Sequence, residues 1–392
     1  MTNEALMQLE HQYVMQTYSR FPVCIARGEG ARFYDFSGRE YIDFSSGIGV
    51  NALGTGNPAW LAAVTQQAGT LAHCSNLFYS EPGVLLAQRL VERTGLKRVF
   101  FGNSGAEANE GMIKLARKYS YDRYGDGRAT IITLRGSFHG RTITTLKATG
   151  QDVFHNYFFP FTEGFAYAEA NLIEGLEAAV TPDTCAIMLE LIQGEGGVRP
   201  LEQAFVQRAA ELCRERDLLL LIDEVQTGIG RTGTLFAFQQ YGIEPDAVSF
   251  AKGIAGGLPM GGFLAGARAE DVLGPGTHAS TFGANPVCCA AAGAVLDALT
   301  PQMLAEVTRK GAALRETVLS WGSPRIRDAR GLGLMIGLGV EGMSNRALAQ
   351  ELIEDGLLVL TAGTDTLRLL PPLTITDEEL EKGLAILKKH LF

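Results

Sequence analysis

The chain reads as an α/β protein, with a mostly parallel sheet covered by helices and a smaller α+β part beyond it. Three observations lead there. Short apolar runs alternate with amphipathic segments through the middle of the 392 residues. The runs are apolar on both faces, as strands buried in a parallel sheet are. Each run then ends in a polar or glycine-rich segment.

Strands are expected at 98–101, 130–134, 186–192, 218–222 and 247–251. Between the first two, Met112, Leu115, Ala116 and Tyr119 recur at i, i+3, i+4 and i+7, which is helical spacing. Phe205, Ala209, Leu212 and Cys213 repeat the pattern between the third and fourth. Asn285 followed by Pro286 reads as an N-cap with proline at the first helical position, opening a helix to about 299. Near the end, Thr376 and Glu379 form a capping box, and Leu380, Leu384, Leu387 and Leu391 make one apolar stripe. Lys388 and Lys389 suit the negative end of that helix.

Composition narrows the function. With 46% hydrophobic and 20% charged residues, the chain can bury a large core, which excludes intrinsic disorder. A net charge of −9 weighs against a phosphate backbone as partner, so no nucleic-acid role is expected. The 47 glycines are about 12% of the chain against a usual ~7%, and imply many places where backbone must approach something closely. Cys24, Cys74, Cys185, Cys213, Cys288 and Cys289 form no C-x-x-C pair, so zinc and disulfide frameworks lack support and a reducing cytoplasm is expected. The N-terminus has no basic region followed by an apolar run, and the uncharged stretch 272–295 is interrupted by glycines and two prolines. Neither a signal peptide nor a membrane span is expected.

Two motif matches are weak. Gly228-Ile-Gly-Arg-Thr-Gly233 fits the dinucleotide fingerprint, but polar residues separate it from the strand end at Ile222 and no clear helix opens at Gly233. Ser249-Phe-Ala-Lys252 fits the S-x-x-K of penicillin-recognising hydrolases, whose companion motifs are absent.

Other strand ends carry more. Lys252 lies between the apolar run 247–251 and Gly-Ile-Ala-Gly-Gly. A lysine in an apolar pocket is disfavoured as a cation, which frees its amine for Schiff-base chemistry; taken alone, an exposed strand-end lysine is the ordinary alternative. Asp223 ends the run Leu-Leu-Leu-Leu-Ile, where a carboxylate needs a cation or strong donors. It could equally be a surface acid. Ser104-Gly-Ala-Glu-Ala-Asn stands where a strand gives way to a helix, whose free amides bind phosphate; a plain capping box from Ser104 to Glu107 is the alternative. Phe138 and His139 offer a flat face for a ring, or are simply core residues.

Taken in order, these blocks resemble the class III pyridoxal 5′-phosphate aminotransferases of fold type I. The likeness covers nearly the whole chain. It includes Arg27-Gly-Glu-Gly, Asp43-Phe-Ser-Ser-Gly-Ile-Gly-Val-Asn, Ser75-Asn-Leu-Phe-Tyr, the Ser104 block, Phe138-His-Gly-Arg-Thr, Gln193-Gly-Glu-Gly-Gly, Asp223-Glu-Val-Gln-Thr-Gly, Lys252-Gly, Ser280-Thr-Phe-Gly-Ala-Asn-Pro and Leu367-Arg-Leu-Leu-Pro-Pro-Leu. Within the family it is most similar to the members that act on N2-acylated ornithines. The resemblance implies a seven-stranded large-domain sheet at 56–289, a small domain from 1–55 and 290–392, and a homodimer. It implies transfer of the δ-amino group of N2-acetylornithine to 2-oxoglutarate, giving glutamate, in arginine biosynthesis.

It also implies roles for residues. Lys252 would hold the cofactor covalently and shuttle a proton, Asp223 would pair with the pyridinium nitrogen, Gln226 would bond the phenolic oxygen and Phe138 would stack on the ring. Gly105 and Ala106 would give amides to the phosphate, with Ser104, His139, Glu224 and Val225 also around the cofactor. Thr281 would reach the partner subunit's phosphate. Arg141 would clamp the acylornithine carboxylate and Arg368 the α-carboxylate of glutamate. Glu195 would pair with Arg368 when that arginine is idle, and Ser280 and Gly47 would border the substrate. Gly47 stands where related ornithine δ-aminotransferases carry tyrosine. The chain departs from the family at Gly54-Thr-Gly-Asn-Pro58, where G-H-x-H-P is usual, and at Met260, where isoleucine is usual. An NAD-dependent oxidoreductase, a serine acyl hydrolase and a non-catalytic cofactor-binding protein are the rivals.

Overall fold

A computed structural model describes all of residues 1–392. The chain enters through three antiparallel strands, β1 (Ile25–Glu29), β2 (Arg32–Asp35) and β3 (Glu40–Asp43). The large sheet follows, from β4 (Arg98–Gly102), β5 (Thr130–Leu134), β6 (Phe165–Ala168) and β7 (Thr184–Leu189). After a short hairpin of β8 (Ile192–Gln193) and β9 (Arg199–Pro200), the sheet is completed by β10 (Leu219–Asp223), β11 (Ala247–Phe250) and β12 (Gly261–Ala265). Its order is β4-β12-β11-β10-β7-β5-β6, and β12 alone runs against the other six.

The period of two along β10 explains its unbroken apolar run. Leu219 and Leu221 pack with Met112, Leu115 and Ala116 of the helix Gly105–Tyr124 on one face. Leu220 and Ile222 pack with Phe205, Ala209 and Leu212 of the helix Gln203–Glu215 on the other. Both faces are covered, so no position in the strand can be polar until it emerges. Fully burying one such leucine contributes roughly 1.5–3 kcal/mol.

Beyond the sheet, Asn285 caps the helix Pro286–Ala298 and Thr376 caps Asp377–Lys389 with the full capping box. Between them β13 (Ile326–Leu332), β14 (Met335–Val340), β16 (Leu360–Ala362) and β17 (Thr366–Leu369) form a second sheet, and β15 (Leu357–Leu358) pairs in parallel with β3. The two ends of the chain thus share a sheet. No single helix is long and apolar enough to cross a membrane.

One expectation needs adjustment, and two strands of the large sheet went unread. The run read as 186–192 stops at Leu189, where Glu190 follows, and resumes as the hairpin strand β8. β6 is a short edge strand, Phe-Ala-Tyr-Ala, with too little pattern to announce itself. β12 opens with two glycines, which carry no strand signal. They are needed there: a Cβ on Gly261 would sit 2.4 Å from the Ser104 carbonyl oxygen, and one on Gly262 2.3 Å from that of Phe100.

Candidate active site

Six of the seven strands deliver their carboxyl ends to one edge, and a cavity of about 390 Å³ opens there. β4 leads into Asn103, Ser104, Gly105 and Ala106; the segment after β5 supplies Phe138, His139, Gly140 and Arg141; β7 is followed by Glu190. Asp223, Val225 and Gln226 follow β10, and Ala251 and Lys252 follow β11. The entry to β12 closes the wall with Gly257, Leu258, Pro259 and Met260. Such a crevice beyond the strand ends is where open α/β sheets bind ligands.

Asp223 continues the alternation of β10 and therefore faces the helix Gly105–Tyr124. Its Oδ2 accepts from Asn109 Nδ2 at 2.7 Å and pairs with His139 Nδ1 at 2.8 Å. Its Oδ1 accepts from the Val225 amide at 3.0 Å and the Ser249 hydroxyl at 3.3 Å. Burial alone would raise this carboxyl; the hydrogen bond and charge of His139, with Val225 and Asn109, outweigh it and hold the pKa below its ordinary value. A carboxylate so held stays ionised.

Lys252 sits at φ +46°, a left-handed conformation rare outside glycine, at the start of the turn Lys252–Ala255. Burial pushes its ammonium pKa down, although Glu195 opposes the shift. A lowered lysine is a better nucleophile at neutral pH.

Gly105 opens the helix Gly105–Tyr124, with Ser104 as N-cap accepting from the Glu107 amide at 3.2 Å. A Cβ on Gly105 would lie 2.7 Å from Val225 Cγ1, so only glycine lets the loop after β10 approach the helix end. The amides there form a cradle for an anion.

Arg368, on β17, is 3% exposed and holds Glu195 through Nη1–Oε1 at 2.6 Å and Nη2–Oε2 at 3.2 Å, while Nη1 also donates to Gln226 Oε1 at 3.1 Å. Burial raises the Glu195 carboxyl, but Arg368 prevails and the net shift is downward. Glu195, Arg368, Ser280, Thr281 and Gly47 lie outside the lining of the cavity. Ser280 Oγ accepts from Asn103 Nδ2 at 3.3 Å and from the Gly283 amide at 2.9 Å, which ties its segment to the wall. Thr281 is exposed on this chain.

The Glu224 side chain turns away from the cavity. It accepts from the Thr227 hydroxyl and from the Phe238 amide at 2.7 Å, and burial pushes its pKa up to about 7 from an ordinary 4.5. The folded protein therefore keeps a proton that the unfolded chain has already released, and this group's contribution to stability falls as pH rises from about 4.5 to about 7. Glu224→Gln should flatten that fall by up to about 1.4 kcal/mol per pH unit, measured by urea unfolding between pH 5 and 8.

Two residues of the site escaped the sequence reading. Asn109 is one turn beyond Gly105, inside the Ser104 block, and bridges Asp223 to the His139 carbonyl. Glu190 is buried in the cavity wall, accepts from the Phe138 amide at 2.8 Å, and is raised by burial to about 7. Its signal matched that of Asp223: a carboxylate directly after an apolar strand.

The weak matches resolve against their motifs. Ser249 is fully buried and its hydroxyl is given to Asp223, so it is no nucleophile. In the 228–233 loop, a Cβ on Gly230 would lie 2.8 Å from Leu299 Cδ2 and one on Gly233 2.2 Å from Thr308 Oγ1. These glycines serve packing against the following helices, not a phosphate. Arg231 between them is buried and donates to the carbonyls of Leu334 at 3.0 Å and Pro371 at 2.5 Å. At the Gly54 departure, Asn57 instead caps the helix Pro58–Thr70 by accepting from the Trp60 amide at 3.1 Å.

A lysine of lowered pKa, an ionised aspartate and an anion cradle around one cavity define an enzyme that uses an aromatic aldehyde cofactor carrying phosphate. His139 Nε2 and Asn109 Oδ1 are buried without partners beside Asp223, polar groups in keeping with a ring-bearing occupant. The class-III aminotransferase profile matches residues 13–391. The acetylornithine aminotransferase of Haemophilus ducreyi is 54% identical over 100% of this chain and 99% of its own. The N-acetylornithine aminotransferase of Stenotrophomonas maltophilia superposes with a TM-score of 0.84 at 40% identity, covering 98% of each chain. The ornithine aminotransferase of Toxoplasma gondii, whose active site holds the cofactor at partial occupancy, superposes at 0.96 with 35% identity over 100% of this chain and 94% of that one. The chain belongs to the class-III aminotransferases, and its cofactor is pyridoxal 5′-phosphate.

Proposed function

We propose that this chain moves the δ-amino group of N2-acetyl-L-ornithine to 2-oxoglutarate, giving N-acetylglutamate 5-semialdehyde and glutamate, a step of arginine biosynthesis in the cytoplasm. The 54% identity to an acetylornithine aminotransferase over the full length carries this reading. Succinylornithine, ornithine, 4-aminobutyrate and succinyldiaminopimelate are the neighbouring substrates.

When bound, the cofactor supplies an electron sink for the carbon that loses its proton. The residues divide the remaining work. Lys252 Nζ, whose cation burial disfavours, would anchor the cofactor and carry the proton between donor and acceptor carbons. Asp223, kept ionised by His139, Asn109, Val225 and Ser249, would pair with the ring nitrogen. Phe138 would cover the ring, Gln226 would meet its phenolic oxygen, and Ser104, Gly105 and Ala106 would receive the phosphate. Val225 packs on Gly105 and so sets that cradle, while Glu224 fixes the loop from behind. Ser280 and Asn103 brace the rim.

Substrate carboxylates fall to the two arginines. Arg141 lines the cavity and takes the acylornithine carboxylate. Arg368 takes the α-carboxylate of glutamate once Glu195 swings away, and is neutralised by Glu195 otherwise; the pair is closed in this structure.

We also infer a homodimer. Leu77, Phe78, Tyr79 and Phe282 are 60–100% exposed, and Asn76 Nδ2 ties the two segments by donating to the carbonyls of Ser280 at 3.0 Å and Gly283 at 2.8 Å. Thr281 lies on this apolar face, placed to serve a second copy. The domain division that goes with the reading is 1–55 with 290–392 against 56–289; the pairing of β15 with β3 supports it.

The acyl cap is tested at Gly47. Its φ is +60°, and a Cβ there would meet nothing nearer than Asn51 Nδ2 at 3.7 Å, so a side chain is strained by backbone but not blocked. Glycine leaves room for the acetyl group and offers no partner for a bare ammonium. N2-acetylornithine should exceed free ornithine in kcat/KM by at least about tenfold, or roughly 1.4 kcal/mol. Gly47→Tyr should narrow or invert that ratio and leave the glutamate half-reaction nearly intact. Equal rates for both amines in the unaltered enzyme would remove Gly47 from this role.

A further inference from the structure

The Arg141 side chain makes no hydrogen bond and no ion pair within the chain, although it borders the cavity. A long, exposed cation with five free donors has many rotamers, and holding one of them for a ligand is entropically unfavourable. Here an aromatic corner limits that freedom. The guanidinium carbon lies 4.3 Å from the centroid of Phe154 and 5.4 Å from that of Phe138, and the two rings meet edge to face at 5.9 Å and 75°. The nearer ring is that of Phe154.

The corner is geared to the backbone of Arg141 itself. Thr142, the next residue, caps the helix Ile143–Ala148. The short turn Asp152–Phe154 follows, and the His155 ring fastens it back to that helix through Nε2 and the Leu146 carbonyl oxygen at 2.8 Å. Phe154 is thus held at a fixed place relative to the stem of Arg141, with the guanidinium carbon over its ring and the guanidinium nitrogens free of hydrogen bonds.

We propose that Phe154 is a positioning residue for Arg141 and so a determinant of affinity for the amine substrate's carboxylate. This rests on the assignment of Arg141 to that carboxylate. Phe154 works by holding the guanidinium ready in the free enzyme, so its effect belongs to binding and is the same in ground and transition states.

The test compares Phe154→Leu, Phe154→Tyr and Arg141→Ala in holoenzyme, with KM and kcat read separately for N2-acetylornithine. Phe154→Leu should raise KM for N2-acetylornithine about three- to tenfold with kcat within about twofold. Phe154→Tyr keeps the ring face and should restore KM. An unchanged kcat and a native cofactor absorbance also show that the variants fold, which a general structural defect would not permit. If Arg141→Ala raises KM and Phe154→Leu does not, Phe154 has no positioning role and the Arg141 assignment stands. If Arg141→Ala itself leaves KM unchanged, that assignment fails and the proposal with it.

Discussion

Lys252→Ala should abolish transamination, lowering the rate by on the order of 10⁴ or more, while the cofactor still binds. The two effects separate because the proposed roles fall on different residues. Under the proposed assignment, phosphate and ring contacts would come from Ser104–Ala106, Phe138, Asp223 and Gln226, which line the cavity on segments after β4, β5 and β10. Lys252 follows β11 and contributes only the amine. That amine is poised by burial, which disfavours its cation, while Glu195 keeps the shift from running further. Removing the side chain takes away the covalent anchor and the proton carrier together, with no substitute nearby: Glu190, the other cavity-wall group raised toward neutrality, is anchored by the amides of Phe138 and Gly194. Borohydride should fix the cofactor to the native chain and not to the variant, and dialysis should show the variant retaining it more weakly. Turnover near the native rate would overturn the aminotransferase reading of the site.

How much of this was legible follows from the physics of each signal. The strand ends were readable because a parallel sheet covered on both faces leaves polar residues only where strands emerge. Asp223 and Lys252 stand out for that reason. The helix caps at Asn285 and Thr376 were readable because capping is local. Contacts between segments distant in sequence were not. Glu195 meets Arg368 across 173 residues, and only the family resemblance named that pair beforehand. Asn109 carries an ordinary helix-interior pattern, and nothing short of the fold shows that it reaches Asp223. β12 was hidden by its own glycines, which the approach of Ser104 and Phe100 requires. Phe154 lies in a short turn whose sequence, Asp-Val-Phe, has no periodicity to interpret.

Asp223→Asn should lower the rate by on the order of 10²–10⁴ with little change in the volume of the side chain. The carboxylate is surrounded by donors: the amide of Val225, the hydroxyl of Ser249, the amide of Asn109 and the ring of His139. These keep it ionised against burial, and an ionised group opposite the ring nitrogen is what holds a proton on that nitrogen. Asparagine cannot carry the charge. Its NH₂ must also face either Val225 and Ser249 or Asn109 and His139, setting donor against donor unless Ser249 or His139 reverses its role. A buried donor left without an acceptor costs about 1–3 kcal/mol, so the variant should also melt earlier than the native enzyme. The two losses are distinguishable. Saturating cofactor stabilises the folded state by mass action and should recover the melting temperature in part, but not the rate. A saturated, folded variant that turns over as the native enzyme does would show that the charge of Asp223 is not needed. The ring nitrogen would then be held in its protonated form by some other group, with His139, whose Nε2 is buried without a partner, the first to examine.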